Sequence, residues 1–142
     1  MSRFKDITPQ FAVSPQISRE DVAFAAIDGF TSIICNRPDG EDQGQLSAET
    51  IGAACTANGL TFTHIPILGA MSQSQVSLMA NAIDAAQGPV LAYCRSGTRS
   101  ANAWALAMAT NGDNVDDLVA ATADAGYDLS GLVPTLRAAG AR

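Results

Sequence analysis

Gly88-Pro89-Val90-Leu91-Ala92-Tyr93-Cys94-Arg95-Ser96-Gly97-Thr98-Arg99-Ser100 is the stretch that decides how this chain is read. Val90 to Tyr93 is a short apolar run of the kind that fills a strand covered on both faces. A helical pattern begins near Ser100 and runs through Trp104, Leu106 and Met108 to Asn111-Gly112. Cys94 to Arg99 therefore forms a loop between a strand and a helix. In such a loop the backbone N–H groups and those of the helix's first turn converge on one spot, where the helix dipole favours negative charge. Gly97 allows a backbone conformation that a β-carbon would forbid. Arg95 and Arg99 place two of the chain's 8 Lys and Arg residues in this window, although 14 Asp and Glu residues leave the net charge at −6. The loop is expected to stabilise Cys94 as a thiolate nucleophile, with Arg99 holding an anion bidentately.

Outward from this loop, strands alternate with helices. Phe11-Ala12-Val13 is a short apolar run stopped by Ser14-Pro15, and Ser18 caps a helix that ends at Gly29. Thr31 to Cys35 reads as a buried strand, Asn36 to Gly44 as a polar loop, and Ser47 to Asn58 as a helix stopped by Gly59. Leu60 to Ile67 is the next strand. Ser72 and Gln75 form a capping box before a helix with Val76, Met79, Ala80 and Ile83 at helical spacing, which stops near Gly88-Pro89. Two further helices are expected over about 114–125 and 131–139. The alternation predicts an α/β fold over 1–142, one domain, with a mainly parallel sheet flanked by helices on both faces. Sites in such sheets lie at the carboxyl ends of strands, where the loops at Cys94 and at Asn36 emerge.

Composition narrows the function. Of the 142 residues, 47% are hydrophobic and 15% charged, so the chain can bury enough apolar surface to be globular. Its acidic balance argues against nucleic acid and anionic membrane surfaces. No apolar stretch is long enough to span a bilayer, and Met1 to Asp6 lack the hydrophobic run of a signal peptide, so a cytoplasmic location is expected. Cys35, Cys55 and Cys94 show no metal-ligand or disulfide spacing; no metal and no cofactor is expected.

Cys94 to Ser100, CRSGTRS, resembles the active-site loop of rhodanese-type sulfurtransferases. It is also similar to the signature of protein tyrosine and dual-specificity phosphatases, shortened by one residue between Gly97 and Arg99. FAVSPQI (Phe11 to Ile17), ICNRPDGE (Ile34 to Glu41), His64-Ile65-Pro66 and GPVLAYCRSGTRS (Gly88 to Ser100) together resemble the beta-lactamase hydrolase-like phosphatase-like domain family, over most of 4–112. The resemblance implies a protein tyrosine phosphatase-like fold, Cys94 as nucleophile, the following loop as anion site, and a metallo-hydrolase as a possible partner.

Three functions stay open. Phosphatases of this fold place an Asp general acid on a neighbouring loop, yet His64 to Met71 contains no carboxylate. A short loop, and sulfur leaving groups that need no acid, favour persulfide transfer through Cys94. Hydrolysis of a phosphomonoester through a cysteinyl-phosphate is the alternative, and a non-catalytic anion-binding module the third. The substrate in each case is a small anion held by Arg95, Ser96, Gly97, Thr98 and Arg99. Ser100 is either a donor to a departing sulfur or a plain helix cap. Arg37 and Asp39 of the second polar loop are candidate rim residues. Against that, Asp39, Glu41 and Asp42 read more readily as a solvated turn than as substitutes for the missing acid, and Arg37 equally as an exposed loop arginine. Cys35, at the same sheet edge as Cys94, is a candidate resolving thiol but better read as core; Cys55 is buried filler, Trp104 a core anchor, and His64 a satisfied strand histidine rather than a base or metal ligand.

Overall fold

The structure, a computed structural model, describes residues 4–142, so Met1 to Arg3 of the amino-terminal expectation lie outside the described residues. Five strands form one sheet in the order β1-β2-β5-β3-β4. They are β1 (Lys5–Thr8), β2 (Phe11–Ser14), β3 (Ser32–Cys35), β4 (Thr61–His64) and β5 (Val90–Tyr93). β2, β5, β3 and β4 run parallel, and β1 pairs antiparallel with β2. The central strand is β5, and every residue of Val90-Leu91-Ala92-Tyr93 is buried, as a strand covered on both faces requires.

The two-residue period of β5 divides the core. Leu91 and Tyr93 pack with Ala12, Ile33 and Cys35 under α1 (Arg19–Ile27) and α2 (Ala48–Ala57). Val90 and Ala92 pack with Phe11, Val13 and Ile34 under α3 (Gln73–Ala85), α4 (Thr98–Thr110), α5 (Val115–Asp124) and α6 (Val133–Ala139). The doubly covered, mainly parallel sheet is thus as expected from the strand and helix alternation. Trp104 on α4 is buried and stacks on Phe11 at 6.0 Å between ring centroids, a core anchor at the level of Val90, the amino end of β5, rather than under the loop. Cys55 is fully buried in α2, and its burial pushes the thiol up to about 11.

Capping fixes the helix starts. Ser18 and Ser72 each form a capping box, with Asp21 and Gln75 respectively, and Ser47 accepts from Thr50 N–H. Three expectations change. Phe11–Ser14 is a full strand, with β1 as an added antiparallel edge bearing exposed Lys5 and Asp6. β4 stops at His64 rather than Ile67, but Ile65 N–H donates to Cys35 O and Ile67 N–H to Asn36 O, so the segment stays fastened to β3 past its end. α4 begins at Thr98, two residues earlier than expected, because Gly97 takes φ 98° and turns the chain directly into the helix. No helix among the described residues is long and apolar enough to cross a membrane.

Candidate functional site

Cys94 follows β5 at the carboxyl edge of the sheet and is buried. Gly97 N–H points at its sulfur, 3.1 Å away. The turn is fixed from two sides. Ser96 Oγ accepts from Thr98 N–H at 3.4 Å inside the loop. From outside, Tyr127, on the connection after α5, donates its hydroxyl to Ser96 O at 3.2 Å. Tyr127 also presses on Gly97, where a β-carbon would stand 2.9 Å from Cζ. Glycine is required there twice over, by its positive φ and by the phenol. Among the described residues, the N–H groups of Arg95, Ser96, Arg99 and Ser100 have no acceptor, which leaves these amides of the loop and the first helical turn available to an anion.

Arg99, in the first turn of α4, is held at one end only. Its Nη1 and Nη2 donate to the two carboxylate oxygens of Glu41 at 2.7 Å each, and Nη1 also donates to Ile67 O at 2.9 Å. The other edge, Nε–H with the second Nη2 hydrogen, has no oxygen partner among the described residues, and the guanidinium also interacts with the Cys94 sulfur. Glu41 and, secondarily, Cys94 raise the affinity of this guanidinium for its proton. Arg99 also holds Glu41 down: hydrogen bonding from Arg99, then from Arg37, lowers the carboxyl to about 2. Glu41 is accordingly a carboxylate at neutral pH and an anchor rather than a proton donor.

The second polar loop differs from its reading as a solvated turn. Arg37 is only 4% exposed; its Nε donates to Glu41 at 3.0 Å, Nη2 to Asp42 at 2.7 Å and Nη1 to Gln16 at 3.0 Å. It is neither an exposed loop arginine nor a rim cation, because all three of its nitrogens are occupied in orienting the carboxylates. Asp39 is not at the rim either: its Oδ1 accepts Ala48 N–H at 2.8 Å and caps α2, nine residues on. Arg95 reaches out from the loop, 65% exposed, and pairs with Asp42 at 3.2 Å, a contact that solvent weakens. The result is a chain of charges, Arg99–Glu41–Arg37–Asp42–Arg95, in which every carboxylate is engaged by a guanidinium. Glu41 in particular is held as a carboxylate by two of these guanidinium groups.

Ser100 is neither a cap nor a donor to Cys94. It lies buried within the first turn of α4 and gives its hydroxyl hydrogen to Asn36 Oδ1 at 2.8 Å. Asn36, fully buried just past β3, donates its amide to Ile65 O at 3.1 Å and its backbone N–H to Tyr93 O at 2.8 Å. It thereby ties together the ends of three strands and the start of α4. His64 Nε2 lies 3.0 Å from Arg37 O, which can only accept, so this ring nitrogen carries the hydrogen and the histidine is satisfied. Cys35 is buried and donates to the same carbonyl at 3.3 Å, and burial pushes its thiol up.

Sequence reading missed Asn36, Glu41 as the partner of Arg99, and Tyr127. A buried-strand end followed by Asn, and the Arg37–Glu41 spacing of four residues, were signals for the first two. Tyr127 carries no local signal, since it comes to the loop from thirty residues downstream.

Residues 3–111 match the family described as beta-lactamase hydrolase-like protein, phosphatase-like domain. A beta-lactamase hydrolase-like protein of Xylella fastidiosa (strain 9a5c) is 33% identical over 136 residues, covering 94% of this chain and 32% of the relative. The chain thus spans about a third of the length of the curated relatives it matches. The crystal structure of a candidate phosphatase from Neisseria meningitidis is 31% identical, with a TM-score of 0.85, covering 98% of this chain and 99% of that one. The active form of Tk-PTP shares the fold with a TM-score of 0.67 at 19% identity, covering 96% and 94% of the two chains. These likenesses favour phosphatase-type chemistry over the sulfane-sulfur transfer preferred from the loop's length, and nothing in them is specific to rhodaneses.

Proposed function

The chain belongs to the phosphatase-like domain family of beta-lactamase hydrolase-like proteins, and from that premise we propose that it hydrolyses phosphomonoesters through a cysteinyl-phosphate on Cys94. The observation that carries the reading is the divided guanidinium of Arg99. One edge is fixed by Glu41 and Ile67 O, which leaves the Nε–Nη2 edge of a guanidinium that interacts with Cys94 open to two phosphoryl oxygens. The unpartnered amides of Arg95, Ser96, Arg99 and Ser100 supply donors for the remaining charge, so the site stabilises a phosphoryl group in transfer chiefly by position and electrostatics.

In the first step the Cys94 sulfur forms a bond to phosphorus while the ester P–O bond breaks, and the leaving oxygen departs with its electron pair. In the second, water attacks phosphorus, the thiolate leaves, and inorganic phosphate is released. With Glu41 held as a carboxylate, Asp39 capping α2 and Asp42 paired with Arg37 and Arg95, the leaving oxygen departs in this reading without a carboxylic acid to protonate it. Substrates are therefore esters of weakly basic oxygens, phenols above alcohols. Across substituted phenyl phosphates, kcat/KM is expected to fall steeply as the leaving phenol becomes more basic. Cys94→Ser abolishes turnover. An enzyme that cleaves no aryl phosphate at any pH would remove this reading.

The same lack of a disposable carboxylate favours one second reading, sulfur transfer, which needs no acid. Excess thiosulfate would then add one sulfur to Cys94 by intact mass; an unchanged mass eliminates it. The proposal takes 1–142 as one catalytic domain, because Tyr127, beyond the family match, holds the loop at Ser96. It also includes a cytoplasmic location, which suits three unpaired thiols, and action beside a metallo-hydrolase, suggested by the greater length of the curated relatives.

A further inference from the structure

A groove of about 580 Å³ opens at Arg99 and runs down the outer side of α4. Its floor is the stripe Arg99, Asn102, Leu106 and Thr110, which lie on one face of the helix and extend about 16 Å along it. Met71 and Val76 line it on the side of α3, and Leu132 and Ala138 on the side of α6. Its volume falls within the range of small-molecule sites, roughly 300–1,000 Å³. Arg99 is the one ionisable side chain in the lining. Leu68, between two lining residues, is 76% exposed, an apolar side chain left in water at the mouth.

The groove is therefore charged at one end and neutral along the rest of its length, and the charged end is the guanidinium that faces Cys94. We infer that it is the leaving-group site, and that the substrate is an aryl phosphate whose ring carries an extended apolar chain. This deepens the phosphatase reading and rests on it. The phosphoryl group meets the free edge of Arg99, and the chain continues along Leu106 between Val76 and Leu132. An acidic phosphopeptide would bring charge along walls that carry no cation beyond Arg99, and a sugar would set hydroxyl groups against Val76, Leu106 and Leu132, at the desolvation cost of each unpaired group.

The test is a series of 4-alkylphenyl phosphates, methyl, butyl and octyl, kept below micelle-forming concentration. The basicity of the leaving phenol is constant along the series, so chain length alone varies. In the native chain kcat/KM is expected to rise about two- to fourfold for each methylene that enters the groove. Ala138→Phe, at an exposed position of the wall, flattens that rise, and Asn102→Leu, which extends the apolar floor, steepens it. Turnover that is independent of chain length, or a rise untouched by Ala138→Phe, overturns the groove assignment and leaves the phosphatase reading standing. If no member is hydrolysed, the phosphatase reading fails by itself. Calorimetric binding of the same esters to Cys94→Ser then decides the groove: tighter binding of octyl than methyl upholds it, and equal binding refutes it.

Discussion

Replacing Glu41 by Gln perturbs the residue on which the orientation of Arg99 depends. Glu41 accepts three hydrogen bonds from two guanidinium groups, at 2.7, 2.7 and 3.0 Å. Glutamine keeps one acceptor oxygen and turns an NH₂ group toward a cation. The carboxyl lies at about 2 in the folded chain against 4.5 in the reference state, a difference of about 2.5 units. The full conversion would be about 3.4 kcal/mol, but Glu41 is 22% exposed and solvent screens it, so about 1–2 kcal/mol is expected. The sign follows from the depressed value: the stabilisation is complete above about pH 4.5 and is lost as pH falls toward 2. Urea unfolding from pH 7 to pH 2.5 should show Glu41→Gln less stable by that amount at neutral pH and the two proteins converging in acid. With Arg99 no longer clamped, kcat/KM for an aryl phosphate should drop ten- to a hundredfold, about 1.4–2.8 kcal/mol in the transition state. Unfolding curves that stay parallel across the acid range, with kcat/KM intact, would refute the reasoning.

Other substitutions probe the loop from different sides. Gly97→Ala meets both a positive φ and Tyr127; a loss of about 1–3 kcal/mol is expected, together with a fall in turnover, both readable by thermal melts and steady-state kinetics. Tyr127→Phe removes the hydrogen bond to Ser96 O, and should cost about 0.5–1.5 kcal/mol and lower kcat several-fold with little change in KM. Ser100→Ala leaves the buried Asn36 Oδ1 without its hydroxyl donor, a loss of about 1–3 kcal/mol in denaturant unfolding. Ser100→Thr should restore part of it if the extra methyl is accommodated, whereas a native-like Ser100→Ala would show that the bond is not holding the strand ends.

The fold was legible because its signals are local. Val90 to Tyr93 is apolar throughout since both faces of β5 are covered, and Ser18, Ser47 and Ser72 mark helix starts by hydrogen bonds that span only three residues. Cys94, Gly97 and Arg99 stood out for the same reason, lying within one turn of chain. The second polar loop was not legible, because an acidic turn in water and a clamp on a distant arginine have the same composition. Only the long-range pairing of Glu41 with Arg99, 58 residues away, separates the two. Ser100 was misread by the same kind of error: its partner Asn36 lies 64 residues back, so a local rule made it a cap. β1 escaped notice because a four-residue edge strand with exposed Lys5 and Asp6 looks like a polar terminus.

Rapid quenching of the native chain with an aryl phosphate, followed by mass spectrometry of the peptide containing Cys94, tests the central claim most directly. The account predicts a phosphoryl group on that sulfur during turnover, absent in Cys94→Ser and reduced in Arg99→Lys, which lacks the planar fork. Hydrolysis that proceeds with no phosphorylated cysteine, or that survives Cys94→Ser, would contradict it.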